Sequence, residues 1–600
     1  MSQAATVRQP ISNLDDSIFE TLYTGRDMAH ALMVSADNEE RLRLARSFLY
    51  LVISSLWSTK QDQEKRVWSI CETPDAIEIT ELPDSAKALA QSMGKATAQM
   101  DALEACYHLG VLYTTLLPED VRSGFGAYYT PPALCQRLLD MATEACVDWS
   151  TCKVLDPACG GGAFLSPVAR RMMENLGKCA PKIALSNITS RLSGFEIDPF
   201  AAWMSQVFLE LTLNHVCRAA NTRLPWMIRV CNSLEQVPED QQFDLVVGNP
   251  PYGRITLSSE LRERYKRSLY GHANLYGVFT DLALRWAAPG GVIAYVTPTS
   301  FLAGGYFKAL RKLLANEAPP VAIDFVNDRK GVFEGVLQET LLATYRRNDP
   351  VDRAAVHFIV IDSKGNADTT QAGDFKLPSD RSAPWLLPRI PEHAILIKCM
   401  SQMPHRLKDW GYKVSTGPLV WNRYKDQLRF KNGKNTQPLI WAECIAGPGR
   451  FIFRAEKKNH SPYFEIGEKD DWLLIDKPCV LLQRTTAKEQ QRRLIAAELP
   501  KDFLKKHGSV VIENHLNMVR PLNGQPVVSP AAVSVFLNSE IVDHAFRCIS
   551  GSVAVSAFEL ENLPLPSPKQ MKKIETLLKR RARPETIDRH IKNIYLCGAE

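Results

Sequence analysis

The sequence predicts an α/β protein built on a mostly parallel sheet covered by helices on both faces, with a helical segment before it and a β-rich segment after it. Three observations carry this. Between "CKVLD" and "ETLLATYRR", short apolar runs alternate with helical stretches, the pattern of strands buried on both sides. Residues 12 to about 117 carry helical apolar spacing and little strand-like alternation. Beyond "RRNDPVDR" the helical alternation fades, and prolines, tryptophans and short β-like runs replace it as far as about residue 568.

In chain order, "RLRLARSFLYLVISSLW" and "MDALEACYHLGVLYTTLL" define a helical N-terminal domain over residues 1–117. The Gly- and Pro-rich "LPEDVRSGFGAYYTPP" then opens the sheet domain, residues 118–350. Its strands are expected at "CKVLD", "RLSGFEID", "FDLVVGN" and "GGVIAYVTP", with "VAIDFV" and "ETLLATYRR" completing the sheet. Residues 351–404 read as a connector, 405–568 as a β-rich domain, and 569–600, with "KQMKKIETLLKRRARPETIDRHIKNIYL", as a basic helical tail. No internal repeat or low-complexity tract stands out.

Composition bounds the function. With 45% hydrophobic and 23% charged residues over 600 positions, the chain has material for several packed cores. No apolar run reaches the roughly 18 residues of a membrane span, and "MSQAATVRQPISNLDDS" carries no secretory signal, so a cytoplasmic enzyme is expected. The fourteen cysteines are scattered without any Cys-x-x-Cys, which suggests neither a zinc ribbon nor a thioredoxin-type site; no metal is expected. Charge is uneven: residues 401 to 600 hold 32 Lys and Arg against 21 Asp and Glu, although the whole chain is only +6. A surplus of that kind fits a polyanion partner, or a solvated surface that happens to be basic.

"VLDPACGGGAFL", residues 154 to 165, places an acid at a strand end, three glycines in the turn and a helix after it. Ligands of open α/β sheets lie beyond the carboxyl ends of the strands, and glycines let the backbone approach them. The spacing is not Gly-x-Gly-x-x-Gly and no Lys-Ser or Lys-Thr follows, which disfavours a nicotinamide dinucleotide or a P-loop nucleotide. "GFEID" ends the next strand and places Glu196 where a carboxylate could accept bonds from ribose hydroxyls. Alone, such a turn could equally be a tight strand-to-helix connection.

"FDLVVGNPPYG", residues 243 to 253, ends a buried strand in an Asn, two prolines and a tyrosine. Together, "DPACGGGAFL" and "NPPY" resemble the S-adenosylmethionine motif and the catalytic motif of amino-group DNA methyltransferases. Their order, with "GAYYTPPALCQRLLD" before the glycine turn and a long β-rich segment at the end, is similar to the gamma-class N6-adenine enzymes of restriction-modification systems, of the type II-like kind. The resemblance covers about residues 120 to 350 by motif and, more loosely, 405 to 570. It implies a Rossmann-like, mostly parallel, seven-stranded methyltransferase sheet and a C-terminal target-recognition domain for double-stranded DNA. It also implies S-adenosylmethionine as cofactor, held by Asp156, Pro157, Ala158, Cys159, Gly160, Gly162 and Phe164 of the turn and by Glu196 and Ile197. Thr130 and Pro131 would line its methionine end, although "TPP" is also a common helix start. Where the family has a strand-end Asp followed by an aromatic, "RVCNSLE" has Asn232, Ser233 and Leu234; an amide there can still bond the adenine amino group.

The chemistry accounts for the catalytic set Asn249, Pro250, Pro251 and Tyr252. The lone pair of adenine N6 is delocalised into the ring, so the amine is a poor nucleophile. If the Asn249 side-chain oxygen and the Pro250 carbonyl each accept an N6 hydrogen, the lone pair is localised and aimed at the methyl donor. The prolines stiffen the backbone. Tyr252 offers a stacking face, and a base inside a duplex must be flipped out to reach it. Phe333, in "DRKGVFEGVLQET", matches the family's second stacking aromatic, or else is an ordinary core phenylalanine.

In the basic third, "KVSTGPLVWNRYKDQLRFK" interleaves aromatics with cations. Trp421, Arg423 and Lys425 are expected to contact DNA, and "SGSVAVSAFELENLPLPSP" looks like a closing segment of a target-recognition domain. No nuclease segment is apparent, so any cognate endonuclease is expected on another chain. Two other readings stand beside this one. Asn-Pro-Pro-Tyr also occurs in enzymes that methylate the glutamine amide of release factors, and a DNA-binding subunit could carry a catalytically silent version of the fold.

Overall fold

The computed structural model describes residues 16–61, 67–125, 129–238, 242–326, 339–361, 367–486, 491–522, 526–550 and 554–596. The chain divides into two compact units, Met1–Pro298 with Leu313–Thr370, and Thr299–Lys312 with Gln371–Glu600. Neither residue 117 nor residue 350, the limits the sequence suggests for the sheet domain, separates the two.

A nine-stranded sheet organises the first unit, its last strand running on past Thr370. Its strands are β1 (Val154–Asp156), β2 (Leu192–Glu196), β3 (Ile228–Val230), β4 (Phe243–Gly248), β5 (Ala287–Pro298), β6 (Pro320–Val326), β7 (Thr340–Arg346), β8 (Arg353–Ile361) and β9 (Ala367–Lys376). They lie in the order β9-β8-β6-β7-β5-β4-β1-β2-β3. Parallel pairing joins β3, β2, β1, β4 and β5, whereas β7 runs antiparallel to both β5 and β6. The resemblance implies seven strands. The count itself needs correction, because β8 pairs parallel to β6 and β9 lies beyond it. Residues 353–376, expected in a connector, supply these two strands. "RAAVHFIVI" has the alternating burial of a half-covered strand, which the turn-rich "RRNDPVDR" just before it hides from a reading by segments.

Helices of the N-terminal stretch share the core of this sheet. Asn38–Gln61 buries Leu49, Val52, Ile53 and Leu56, and Ala102–Leu116 buries Leu109 and Leu112, in one cluster with Val154 of β1 and Leu245 of β4. Fully burying each such leucine or isoleucine contributes about 1.5–3 kcal/mol, so the helices and the sheet stabilise one another.

The second unit combines a four-stranded antiparallel sheet (Tyr412–Thr416, Leu516–Pro521, Val480–Gln483, Ala496–Glu498) with a five-stranded mixed one. The basic tail is more than an appendage. Its helices Pro568–Lys579 and Pro584–Tyr595 bury Met571, Ile574, Ile587, Ile591 and Tyr595 in the core beside the four-stranded sheet, with their charges outward.

Candidate active site

Strand order reverses at β1, whose neighbours are β2 and β4, and a cavity of about 370 Å³ opens beyond the carboxyl ends of these three strands. Asp156 ends β1, and its Oδ1 accepts the Ala158 N–H at 3.0 Å. The turn that follows leads into the helix Leu165–Asn175. Gly162 has φ of +93°, and a Cβ there would lie 2.9 Å from Ser205 Oγ, so both conformation and space demand glycine. At Gly161 the demand is space alone: a Cβ would come within 2.6 Å of the Tyr129 hydroxyl oxygen. Glu196, at the end of β2, ties the turn down. Its Oε2 accepts from Gly160 N at 2.8 Å, and Oε1 accepts from Ile197 N and Asp198 N, each at 2.9 Å. Ser233 Oγ donates to the Pro157 carbonyl at 2.5 Å and closes the turn from the β3 side.

The helical N-terminal stretch reaches this cavity. Tyr113 is part of its lining, and the Tyr113 hydroxyl donates to Asp198 Oδ2 at 2.6 Å. Arg46 Nη2 donates to Asp198 Oδ1 at 2.8 Å, and that oxygen also accepts the Phe200 N–H, which caps the helix Pro199–Thr212. Burial, with Asp198 beside it, holds the Tyr113 hydroxyl well above its usual range, so it stays a donor. Sequence reading names neither Arg46, Tyr113 nor Asp198; contacts this distant in the chain leave no local pattern.

On the β4 side, Gly248 gives way to Asn249, Pro250, Pro251 and Tyr252. Asn249 and Pro251 line the same cavity as Asp156 and Glu196. Asn249 Nδ2 donates to Thr130 Oγ1 at 3.0 Å, and Asn249 Oδ1 accepts from the Tyr252 hydroxyl at 2.7 Å. Burial pushes the Tyr252 hydroxyl well above its usual range, which keeps it protonated. Its ring meets Tyr276 edge to face at 6.1 Å. The Asn249 oxygen therefore already has one donor, but a carbonyl oxygen carries two lone pairs and retains one.

Both carboxyls at the cavity are shifted. Burial pushes Asp156 up to about 8, opposed by the Ala158 N–H and reinforced by Glu196. Burial likewise pushes Glu196 up to about 7, against the backbone N–H of Asp198, while the Asp198 charge adds to the rise. Because both folded values lie above those of free carboxyls, the folded protein holds these protons more tightly than the unfolded chain. Their contribution to stability is thus complete below about pH 4 and is lost as pH rises through 7 to 8. Thermal melting of the free protein should fall between pH 6 and pH 8, and a cationic ligand should stabilise it more at pH 8. The double substitution Asp156→Asn with Glu196→Gln should flatten both trends; trends of the same slope in that variant would refute the assignment.

Of the residues the sequence proposes for a cofactor, Thr130, Asp156, Pro157, Ala158, Cys159, Gly160, Phe164, Glu196, Ile197, Asn232 and Ser233 line the cavity. Pro131, Gly162, Pro250 and Tyr252 stand beside that lining and do not form part of it. Asn232 serves its own loop: Oδ1 accepts from Leu234 N at 3.2 Å and Nδ2 donates to Glu235 Oε1 at 2.8 Å. Phe333 lies outside the described residues. Trp421, Arg423 and Lys425 belong to the second unit, where Arg423 is exposed and Lys425 sits over the half-buried Trp421 ring at 5.9 Å. Trp421 itself packs edge to face on Trp441, at 6.0 Å. The exposed aromatic of this stretch is Phe430, 75% accessible and next to the exposed Lys431, and sequence reading does not single it out. Among the described residues no cluster could hold a metal ion, and no helix is long and apolar enough to cross a membrane.

The strand-end tetrad and the helices around it fall in a stretch that matches a known family. Residues 191–333 match the Eco57I restriction-modification methylase family. The matched stretch spans β2 to β6. Beyond it, the chain is 25% identical over 455 residues to the type II methyltransferase M.BsuBI of Bacillus subtilis, covering 74% of this chain and 88% of that protein. It is 28% identical over 350 residues to the type II methyltransferase M.PstI of Providencia stuartii, covering 56% and 67% respectively. In fold it is similar to the type IIL restriction-modification enzyme MmeI, solved in complex with DNA, with a TM-score of 0.57 at 14% identity over 98% of this chain and 97% of that one. The resemblance to restriction-modification methyltransferases is thus borne out.

Proposed function

We propose that the protein transfers the methyl group of S-adenosylmethionine to N6 of an adenine in a specific double-stranded DNA sequence, as the modification enzyme of a restriction-modification system. One observation carries this above all: Asn249, backed by two prolines at the end of β4, stands on the wall of the cavity that Asp156, Gly160 and Glu196 line. The type II methyltransferases among its relatives support the reaction class. In this role the protein works in the cytoplasm, and any matching endonuclease is a separate chain.

The cavity suits the cofactor. Its volume is in the range of small-ligand sites, two buried carboxyls favour a cation bearing hydroxyls, and Leu234, Leu257, Leu261 and Phe279 give an apolar wall for a purine ring. When bound, S-adenosylmethionine supplies an activated sulfonium methyl. The chain's own residues prepare the acceptor. An extruded adenine presents its amine to Asn249 Oδ1 and the Pro250 carbonyl, which draw the two N6 hydrogens into their plane and leave the lone pair pointing away. Pro250 and Pro251 hold those acceptors stiffly because each fixes φ near −65°. Tyr252 keeps its hydroxyl on one lone pair of Asn249 Oδ1 while the amine takes the other, and offers its ring to the base.

The DNA partner falls to the second unit, whose residues 401–600 carry the positive surplus. Affinity for duplex DNA is expected to fall steeply with salt, as counterion release requires. Arg423→Ala should alter site preference more than methyl-donor affinity, and Phe430→Ala should weaken DNA binding about tenfold while leaving donor affinity unchanged. Salt-independent binding by the wild type would count heavily against this surface.

The deciding experiment offers tritiated methyl donor with plasmid DNA and, separately, a protein extract, followed by sequencing of the plasmid for modified adenines. Label in DNA as N6-methyladenine at one recurrent site is the expected result. Label on a protein glutamine, or no transfer at all, would overturn the proposal in favour of the other two readings.

A further inference from the structure

Resting on the proposed reaction, we infer that Thr130 is a positioning residue for the Asn249 amide, as well as part of the cavity wall. A side-chain amide has one acceptor end and one donor end, and a half-turn exchanges them. To draw hydrogens from an amine, Asn249 must present Oδ1 to the substrate and Nδ2 to something else. Thr130 Oγ1, 3.0 Å from Nδ2, is that partner. On the other side, Oδ1 faces the Tyr252 hydroxyl at 2.7 Å, so the amide is held at both ends and its acceptor lies on the Tyr252 side.

Thr130 is built to be a fixed point. It is 2% exposed, and the residue after it is Pro131, which confines Thr130 to extended backbone. Pro131 and Pro132 lead into the helix Pro132–Glu144, anchored through buried Leu134, Cys135, Leu138 and Leu139. Motion of the hydroxyl is thereby limited to rotation about χ1 and of its own proton. That proton remains available, because a hydroxyl accepting from Nδ2 can still donate. By accepting from Nδ2, Thr130 Oγ1 holds that end of the amide inward and leaves Oδ1 toward the amine.

The test compares Thr130→Val, nearly the same shape without the hydroxyl, with Thr130→Ser, which keeps it. Measured are kcat and KM for DNA, and the dissociation constant of S-adenosylmethionine from the free protein by calorimetry. Expected for Thr130→Val is a fall in kcat of about 10- to 100-fold, the consequence of leaving a buried amide donor without a partner. Its KM for DNA and its donor affinity should stay within about threefold of wild type, and Thr130→Ser should recover most of kcat. Should Thr130→Val not fold, Thr130→Ala serves in its place. An active wild type with an equally active Val variant overturns the assignment. So does a loss of donor affinity that matches the whole loss in kcat/KM, since that would make Thr130 a lining residue only. A wild type that transfers nothing to DNA removes the proposed function, and this assignment with it.

Discussion

Asn249→Ala is expected to reduce methyl transfer by about a thousandfold or more while leaving the affinity for S-adenosylmethionine within a few fold of wild type. The substitution removes the acceptor for the amine and leaves the Tyr252 hydroxyl and Thr130 Oγ1 without their common partner, yet it takes no atom from Asp156, Gly160 or Glu196. Loss of a single preorganised polar group at a reacting centre typically costs about 10²–10³ in kcat, and here the group also sets the geometry of the nucleophile. Single-turnover rates with saturating donor, beside calorimetry on the free protein, separate the two quantities. If donor affinity and transfer fell by the same factor, Asn249 would be a binding residue and the clamp would have no support.

Asp198→Ala is expected to be the most damaging single change to stability near the site, by about 3–5 kcal/mol. Its side chain is 3% exposed and receives Arg46 at 2.8 Å, Tyr113 at 2.6 Å and the Phe200 N–H at 3.0 Å. Removing the carboxylate leaves a largely buried guanidinium without its counter-charge, takes the acceptor from a buried phenol and uncaps the helix Pro199–Thr212. Arg46→Ala should cost less, because Asp198 then keeps two of its three donors. Urea unfolding of both variants gives the comparison. An Asp198→Ala loss under about 1 kcal/mol, in the range of exposed pairs, would mean that these groups do not couple the N-terminal helices to the sheet. Donor affinity should drop in the same variant, since Tyr113 and Asp198 both line the cavity.

Much of the site is legible in the chain because its parts are local. "VLDPACGGGAFL" and "FDLVVGNPPYG" each place a strand, its end and its turn within about a dozen residues, and the physical demands on each are met inside that span. Gly162 shows the kind of constraint that a sequence announces: a backbone angle of +93° with Ser205 at 2.9 Å leaves no other residue comfortable. By contrast, Arg46, Tyr113 and Thr130 act on residues 152, 85 and 119 positions away. Nothing in "RLRLARSFLYLVISSLW" marks Arg46 as a partner of Asp198 rather than a solvated helix charge. The strands at residues 353–376 are hidden for a related reason, since an edge strand declares itself only beside the strand it pairs with.

By itself, the amino-acid order determined which residue types stand at the strand ends and that alternating strands and helices would place those ends together, because apolar periodicity and turn chemistry act over short spans. Only the tertiary structure decided what each of those groups bonds to: that Glu196 holds backbone amides of the glycine turn, that Asn249 is gripped between Thr130 and Tyr252, and that N-terminal helices complete the cavity. Hydrogen bonds act over about 3 Å whatever the separation along the chain, and the folding that brings their partners together is governed by burial of the whole core.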